Sequence, residues 1–189
     1  FVTASHATQF NLEMPFGKGL IVSGNNRFYA LDKKQFREFT TFLRGVLFNG
    51  KEDDLLSFLN RIKAPVIETR PVPAVWVAAG NCLIGDAKKT KNSMAVTALS
   101  RYGFNQLVGY TVPSWYGKGG WGTLGLLFSN HDASSLAEAW YLNNQFILDE
   151  TMTRFPKLMD VHFNSPDING IKNDPDFARG MNSAGYGMG

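Results

Sequence analysis

A single cysteine, Cys82, stands in 189 residues, accompanied by three histidines. One thiol cannot close an intrachain disulfide, and no zinc or iron–sulfur site built from several cysteines is available to the chain. His131 and His162 have no partners at metal-ligand spacing. Asp160, Asp167, Asp174 and Asp176 lack the regular spacing of a calcium loop. Long apolar runs are also missing: none approaches the roughly eighteen residues that a bilayer-crossing helix needs, so no membrane span is expected. No signal peptide is visible. Charge is scarce, at 19% of residues, and nearly balanced at a formal +3. Without a basic stripe interleaved with aromatics, nucleic-acid binding is not expected. The one basic cluster, Lys88-Lys89-Thr90-Lys91, reads as a solvated loop. A phosphate-binding fingerprint is absent too, since Gly117-Lys118-Gly119-Gly120 lacks the Lys-Ser or Lys-Thr pair that follows such a loop. No cofactor is expected.

What remains is a chain that is 44% hydrophobic, enough for one globular domain with a sizeable core. Its organising stretch is Ala74-Val75-Trp76-Val77-Ala78-Ala79-Gly80-Asn81-Cys82-Leu83-Ile84-Gly85. An apolar run with Val75 and Val77, entered through Pro71 and Pro73, predicts a strand buried on both faces. Cys82 falls at its carboxyl end, the edge of an open α/β sheet where ligands and catalytic groups collect. Phe1-Val2-Thr3-Ala4-Ser5 predicts a second strand, leading into His6. A free thiol has a pKa of about 8.5 and needs a neighbouring imidazole to act as thiolate near neutrality, so a histidine and a cysteine at two strand ends form a candidate dyad. On residue types alone, a lone cysteine such as Cys82 is more often a small buried hydrophobe than a nucleophile.

The remaining segments supply the frame. Gly19–Ser23 and Arg27–Leu31 flank Gly24-Asn25-Asn26 and predict a β-hairpin, a candidate flap beside the histidine loop. Asp32 caps a helix with Phe36, Phe39, Leu43, Val46 and Leu47 at helical spacing. A second helix carries Leu55, Leu56, Phe58, Leu59 and Ile62. Asn92 to Tyr102 predicts a third, followed by Gly103 and a strand from Gln106 to Thr111. Thr111 to Gly122 reads as a loop whose Trp115, Tyr116 and Trp121 must be covered by something, because indoles bury large apolar areas. Ser135 to Arg154 predicts a long helix capped near Asp132 or Ser134, with Leu136, Ala139, Trp140, Ile147 and Leu148 facing the core. From Phe155 onward the chain reads as irregular.

The order His strand, long interval, Cys strand, helix, glycine, Val108-Gly109 strand resembles the clan of cysteine peptidases that holds caspases, legumains, clostripain and gingipains, with gingipain-like bacterial members closest in pattern. The resemblance spans Phe1 to Tyr141. It departs from the clan in two places, with Ala7 where His-Gly is usual and Asn81 where Ala or a bulkier residue precedes the cysteine. It implies an α/β fold of three layers, a mostly parallel sheet between helices, with residues 1–154 as a partial catalytic domain starting at the His strand. Residues 155–189 are then an irregular segment of the same domain. Starting inside a strand and stopping without a closing element, the chain reads as cut at both ends, with flanking segments of a larger protein as neighbours. The implied activity is peptide-bond hydrolysis on a peptide or protein substrate, through a thioester on Cys82 with His6 as base and acid. The backbone N–H groups of Ala7 and Cys82 are the implied oxyanion donors, and Asn81, Trp115 and Tyr116 the implied substrate contacts. By the same resemblance the protein is placed at the surface or outside the cytoplasm of a bacterium. Two rivals share the chain. One is a catalytically inactive relative serving as a binding or structural module. The other is a glutamine amidotransferase or related thiol hydrolase, which would need His131 or His162 after the cysteine.

Overall fold

The computed structural model describes residues 1–14, 18–49, 53–69, 72–87, 92–111, 118–129 and 135–160, and for residues 43–49, 53, 118, 119, 158 and 160 the backbone alone. The fold is α/β. β1 (Val2–Thr3), β6 (Ala74–Ala78) and β7 (Phe104–Val108) make a three-stranded parallel sheet with β6 in the middle. β2 (Ala7–Thr8), β3 (Asn11–Glu13), β4 (Leu20–Gly24) and β5 (Arg27–Leu31) make a four-stranded antiparallel sheet in chain order. Helices α1 (Lys33–Asn49) and α2 (Asp53–Arg61) lie between β5 and β6 in sequence, and α3 (Met94–Arg101) links β6 to β7. α4 (Lys118–Ser129) and α5 (Leu136–Arg154) follow.

β6 is the strand that the sequence predicts to be buried on both faces, and it is: Trp76 is 1% exposed and Val77 2%. Alternation along a strand sends successive side chains to opposite faces. Trp76 and Ala78 accordingly cluster with Met94 and Ala98 of α3 and with Leu12 and Phe28 of the antiparallel sheet. Val75, Val77 and Ala79 cluster instead with Leu124 and Leu127 of α4 and Leu136 of α5. The antiparallel sheet turns its other face to α1 and α2, where Phe10, Leu20, Val22, Tyr29 and Leu31 meet Phe39, Leu55, Phe58 and Leu59. Burial on this scale contributes about 25 cal/mol for each Å² of apolar surface removed from water, which makes these clusters the main source of stability.

Local chemistry explains the element ends. Asn25 and Asn26 both take positive φ, 48° and 54°, as a two-residue type I′ turn requires. That hairpin is no flap, however. β4 is held between β3 and β5 with Leu20, Val22 and Ser23 buried, so it belongs to the core. Asp32 Oδ1 accepts the N–H groups of Lys34 and Gln35 at 2.8 Å, as expected of an N-cap, and Gln35 Oε1 accepts the Asp32 N–H in return. Ser93 caps α3, and Gly103, at φ 74°, turns the chain away after its last turn.

Five further expectations are corrected. The strand after Gly103 begins at Phe104 and stops at Val108. Residues 118–122 belong to α4 rather than to a loop. Gly119, Gly120, Gly122 and Gly125 make this a poor helix by propensity, but two of them are closely approached, Gly120 by backbone and Gly122 by a side chain. A Cβ on Gly120 would lie 2.2 Å from the Ala79 carbonyl oxygen, and one on Gly122 would lie 2.0 Å from Asn143 Oδ1. α5 is capped by Ser135, in a capping box with Glu138, not by Asp132 or Ser134, which lie outside the described residues. The Ser135 N–H and hydroxyl donate to the Glu138 carboxylate and hold its pKa below the ordinary range. Finally, the core face of α5 is Leu136, Ala139, Asn143 and Thr151, while Trp140 and Leu148 are 43% and 41% exposed. Apolar residues surround this helix, so its buried stripe is set by where the small face of α4 admits it, not by hydrophobicity. After α5 the chain is not wholly irregular, since Pro156–Asp160 form a 3₁₀ turn packed on that helix.

Candidate active site

β1 and β6 run side by side in the same direction, with Val2 opposite Val77 and Thr3 opposite Ala78. Both strands therefore end at one edge of the sheet. Past that edge β1 continues through Ala4 and Ser5 to His6, and β6 continues through Ala79, Gly80 and Asn81 to Cys82. The two candidate catalytic residues thus extend from neighbouring strand ends at the carboxyl edge, where loops diverge and leave room for a ligand. Gly80 N–H donates to Thr3 O at 3.4 Å, so the strand pairing persists slightly into the loops. His6 is exposed and Cys82 is partly exposed.

Asn81 joins the two segments. Its Nδ2 donates to Ser5 O at 2.8 Å and to Ser5 Oγ at 3.3 Å, and its Oδ1 accepts from Thr3 Oγ1. Trp76 Nε1 in turn donates to Thr3 Oγ1 at 2.8 Å. This corrects the expectation that Asn81 touches substrate: its side chain is 0% exposed and committed to internal bonds. A polar side chain beside a nucleophile invites a substrate role, but here the amide satisfies polar groups trapped between two strand ends.

The Cys82 turn is braced from the other side by the residues that follow β7. Gly85 N–H donates to Tyr110 O at 2.9 Å, and a Cβ on Gly85 would sit 2.5 Å from Gly109 O. Backbone meets backbone there, which glycine alone permits. Leu83, directly after Cys82, has φ 57°. For a bulky residue that conformation is strained, and such strain concentrates at functional sites. Asp86 N–H closes the turn on Leu83 O at 3.0 Å.

Tyr110 completes the surroundings and was not identified from sequence, where it reads as one more strand residue. Its hydroxyl donates to Ala79 O at 3.2 Å and accepts the Gly120 N–H at 2.9 Å, linking the end of β6 to the first turn of α4. Burial pushes the phenol pKa above its ordinary value. The Gly120 N–H opposes that shift, and the negative charge of a Cys82 thiolate adds to it. The phenol and the thiol therefore share one electrostatic neighbourhood.

The alternation of antiparallel hydrogen bonding settles where the Ala7 N–H points. Glu13 N–H donates to His6 O at 2.9 Å, so the next pair, Ala7 with Leu12, is the non-bonded one. The Ala7 N–H is directed away from β3. Among the described residues β2 is the outer strand of its sheet, so that N–H is not used in strand pairing, although Ala7 itself is buried.

Comparison with protein-family models, with curated proteins and with solved structures finds no match to this chain. The site is therefore read from its own geometry. Trp115 and Tyr116, expected to line the cleft, lie outside the described residues, as do His131 and His162 of the amidotransferase rival and the Lys88–Lys91 cluster. Among the described residues no three His, Cys, Asp or Glu side chains gather as a metal-binding set. No helix among them is long and apolar enough to cross a membrane.

Proposed function

We propose that this chain is a cysteine peptidase of the caspase and gingipain kind, hydrolysing peptide bonds with Cys82 as nucleophile and His6 as general base and acid. The observation that supports it is the parallel pairing of β1 with β6, which carries both residues to one sheet edge on adjacent strands. In the first step His6 takes the Cys82 proton and the sulfur attacks the scissile carbonyl carbon. The oxygen that gains charge turns to the N–H groups of Cys82 and Ala7, donors of the type that stabilise such oxyanions. The amine leaves with the proton held by His6, and a thioester remains on Cys82. Water, deprotonated by His6, then releases the acid product and restores the thiol.

The test is alkylation of Cys82 by iodoacetamide near neutral pH, with cleavage of a peptide library followed by mass spectrometry. The reading expects rapid alkylation that slows in His6→Ala, and cleavage that disappears in Cys82→Ala. Alkylation indifferent to His6, with no cleaved peptide, rejects it. One observation favours a second reading, an inactive binding or structural module: Trp121, Phe128, Tyr141, Phe146 and Met152 are exposed large hydrophobics on α4 and α5. An inert thiol in the same assay is what that reading expects.

A further inference from the structure

The hydrogen bonds around Asn81 form a continuous path through the site. Trp76 on β6 donates to Thr3 on β1, Thr3 donates to Asn81, and Asn81 donates to Ser5. Ser5 Oγ then donates to Glu13 O at 2.7 Å, and Glu13 N–H donates to His6 O at 2.9 Å. Asn81 immediately precedes Cys82 and Ser5 immediately precedes His6, so the path joins the two segments one residue from each candidate catalytic group.

Resting on the peptidase reading above, we propose that Asn81 is a positioning residue that sets how closely the His6 imidazole approaches the Cys82 sulfur. The side chain suits that task by its chemistry. A carbonyl oxygen can only accept, so the Ser5 carbonyl demands a donor, while the Thr3 hydroxyl, whose lone pair already receives Trp76, supplies a donor and demands an acceptor. A carboxamide presents one of each from a single carbon. Aspartate would set oxygen against the Ser5 carbonyl, and leucine would satisfy neither partner. A dyad works only within a narrow range of geometry, and a displacement near 1 Å can cost about 10²-fold in rate. Neither His6 nor Cys82 lies within a strand of its own parallel sheet, so the loops that carry them depend on this buried amide for their spacing.

The experiment compares iodoacetamide alkylation rates at neutral pH, beside thermal melting, in the wild type and in His6→Ala, Asn81→Asp, Thr3→Val and Thr3→Ser. The quantity read is the His6-dependent part of the rate. We expect Asn81→Asp and Thr3→Val to reduce it by about tenfold or more. Thr3→Ser, which keeps the hydroxyl, should preserve it, and adding His6→Ala to Asn81→Asp should remove only the small remainder. Thr3→Val keeps the volume of the side chain and supplies the answer if Asn81→Asp does not fold. A lowered melting temperature with the His6-dependent rate intact marks a purely structural role and overturns the proposal while leaving the dyad standing. If His6→Ala itself leaves the wild-type rate unchanged, the dyad fails and the positioning role falls with it.

Discussion

The Asn81 side-chain amide donates to the Ser5 carbonyl at 2.8 Å, bridging 76 positions of sequence. Together with the Thr3 hydroxyl it replaces the solvent that two strand ends would otherwise require. Removing it takes the donor from the Ser5 carbonyl and the acceptor from the Thr3 hydroxyl proton in a part-buried space, a penalty of about 1–3 kcal/mol. Asn81→Ala is therefore expected to lower unfolding free energy by that amount in urea titration. A change within experimental error would mean that water replaces the amide at no cost.

Cys82 makes the opposite case. Its side chain is small and partly exposed, so truncation opens little cavity. Cys82→Ala is expected to keep a cooperative unfolding transition, since the most severe losses come from large buried cavities. It should nevertheless abolish hydrolysis. His6→Ala should lower the rate by roughly 10² to 10⁴, the usual contribution of a positioned base. Retained hydrolysis in Cys82→Ala would remove the thiol from the chemistry altogether.

The glycines of α4 and of the Cys82 turn divide sharply by what surrounds them. An alanine at Gly120 or Gly85 would drive its methyl into backbone, at 2.2 Å from Ala79 O or 2.5 Å from Gly109 O. Both substitutions should cost about 1–3 kcal/mol, as overpacking does. Gly125 has nothing within 4 Å of its would-be Cβ and sits inside the helix. Gly125→Ala should therefore stabilise by roughly 0.5–1 kcal/mol. Three melting curves decide the matter, and equal effects at all three positions would contradict the packing described.

These same glycines explain why α4 was hidden in the sequence. A stretch such as Lys118-Gly119-Gly120-Trp121-Gly122 reads as a loop because glycine opposes helix formation, and only the nearness of Ala79 and Asn143 shows why glycine is tolerated. β6, by contrast, was legible because burial on both faces leaves an uninterrupted apolar run, and the β4–β5 hairpin because two asparagines carry its positive φ. β2 and β3 are too short for alternation to register. Within the site, His6 and Cys82 stand out as reactive residue types beside apolar strands. The roles of Asn81 and Tyr110 depend on burial and on partners far away in the chain, and neither leaves a local pattern.

Tyr110 offers the last test, through pH. Its phenol pKa is raised in the folded protein by burial first, with the Cys82 thiolate adding to it, whereas in the unfolded chain it takes the ordinary value of about 10. Below that value both states keep the proton and the contribution of Tyr110 is complete. As pH rises past it, the unfolded chain releases the proton while the folded chain still holds it. The unfolded state then binds fewer protons, and stability falls with increasing pH until the raised folded value is passed. Tyr110→Phe removes this proton. It also removes the bonds to Ala79 and Gly120, so it should start lower by about 0.5–1.5 kcal/mol for each bond. Its stability should then decline less steeply than that of the wild type above about pH 10. Urea unfolding on either side of that pH measures both quantities, and parallel alkaline slopes in the two proteins would show that the phenol is not held in its protonated form by the fold.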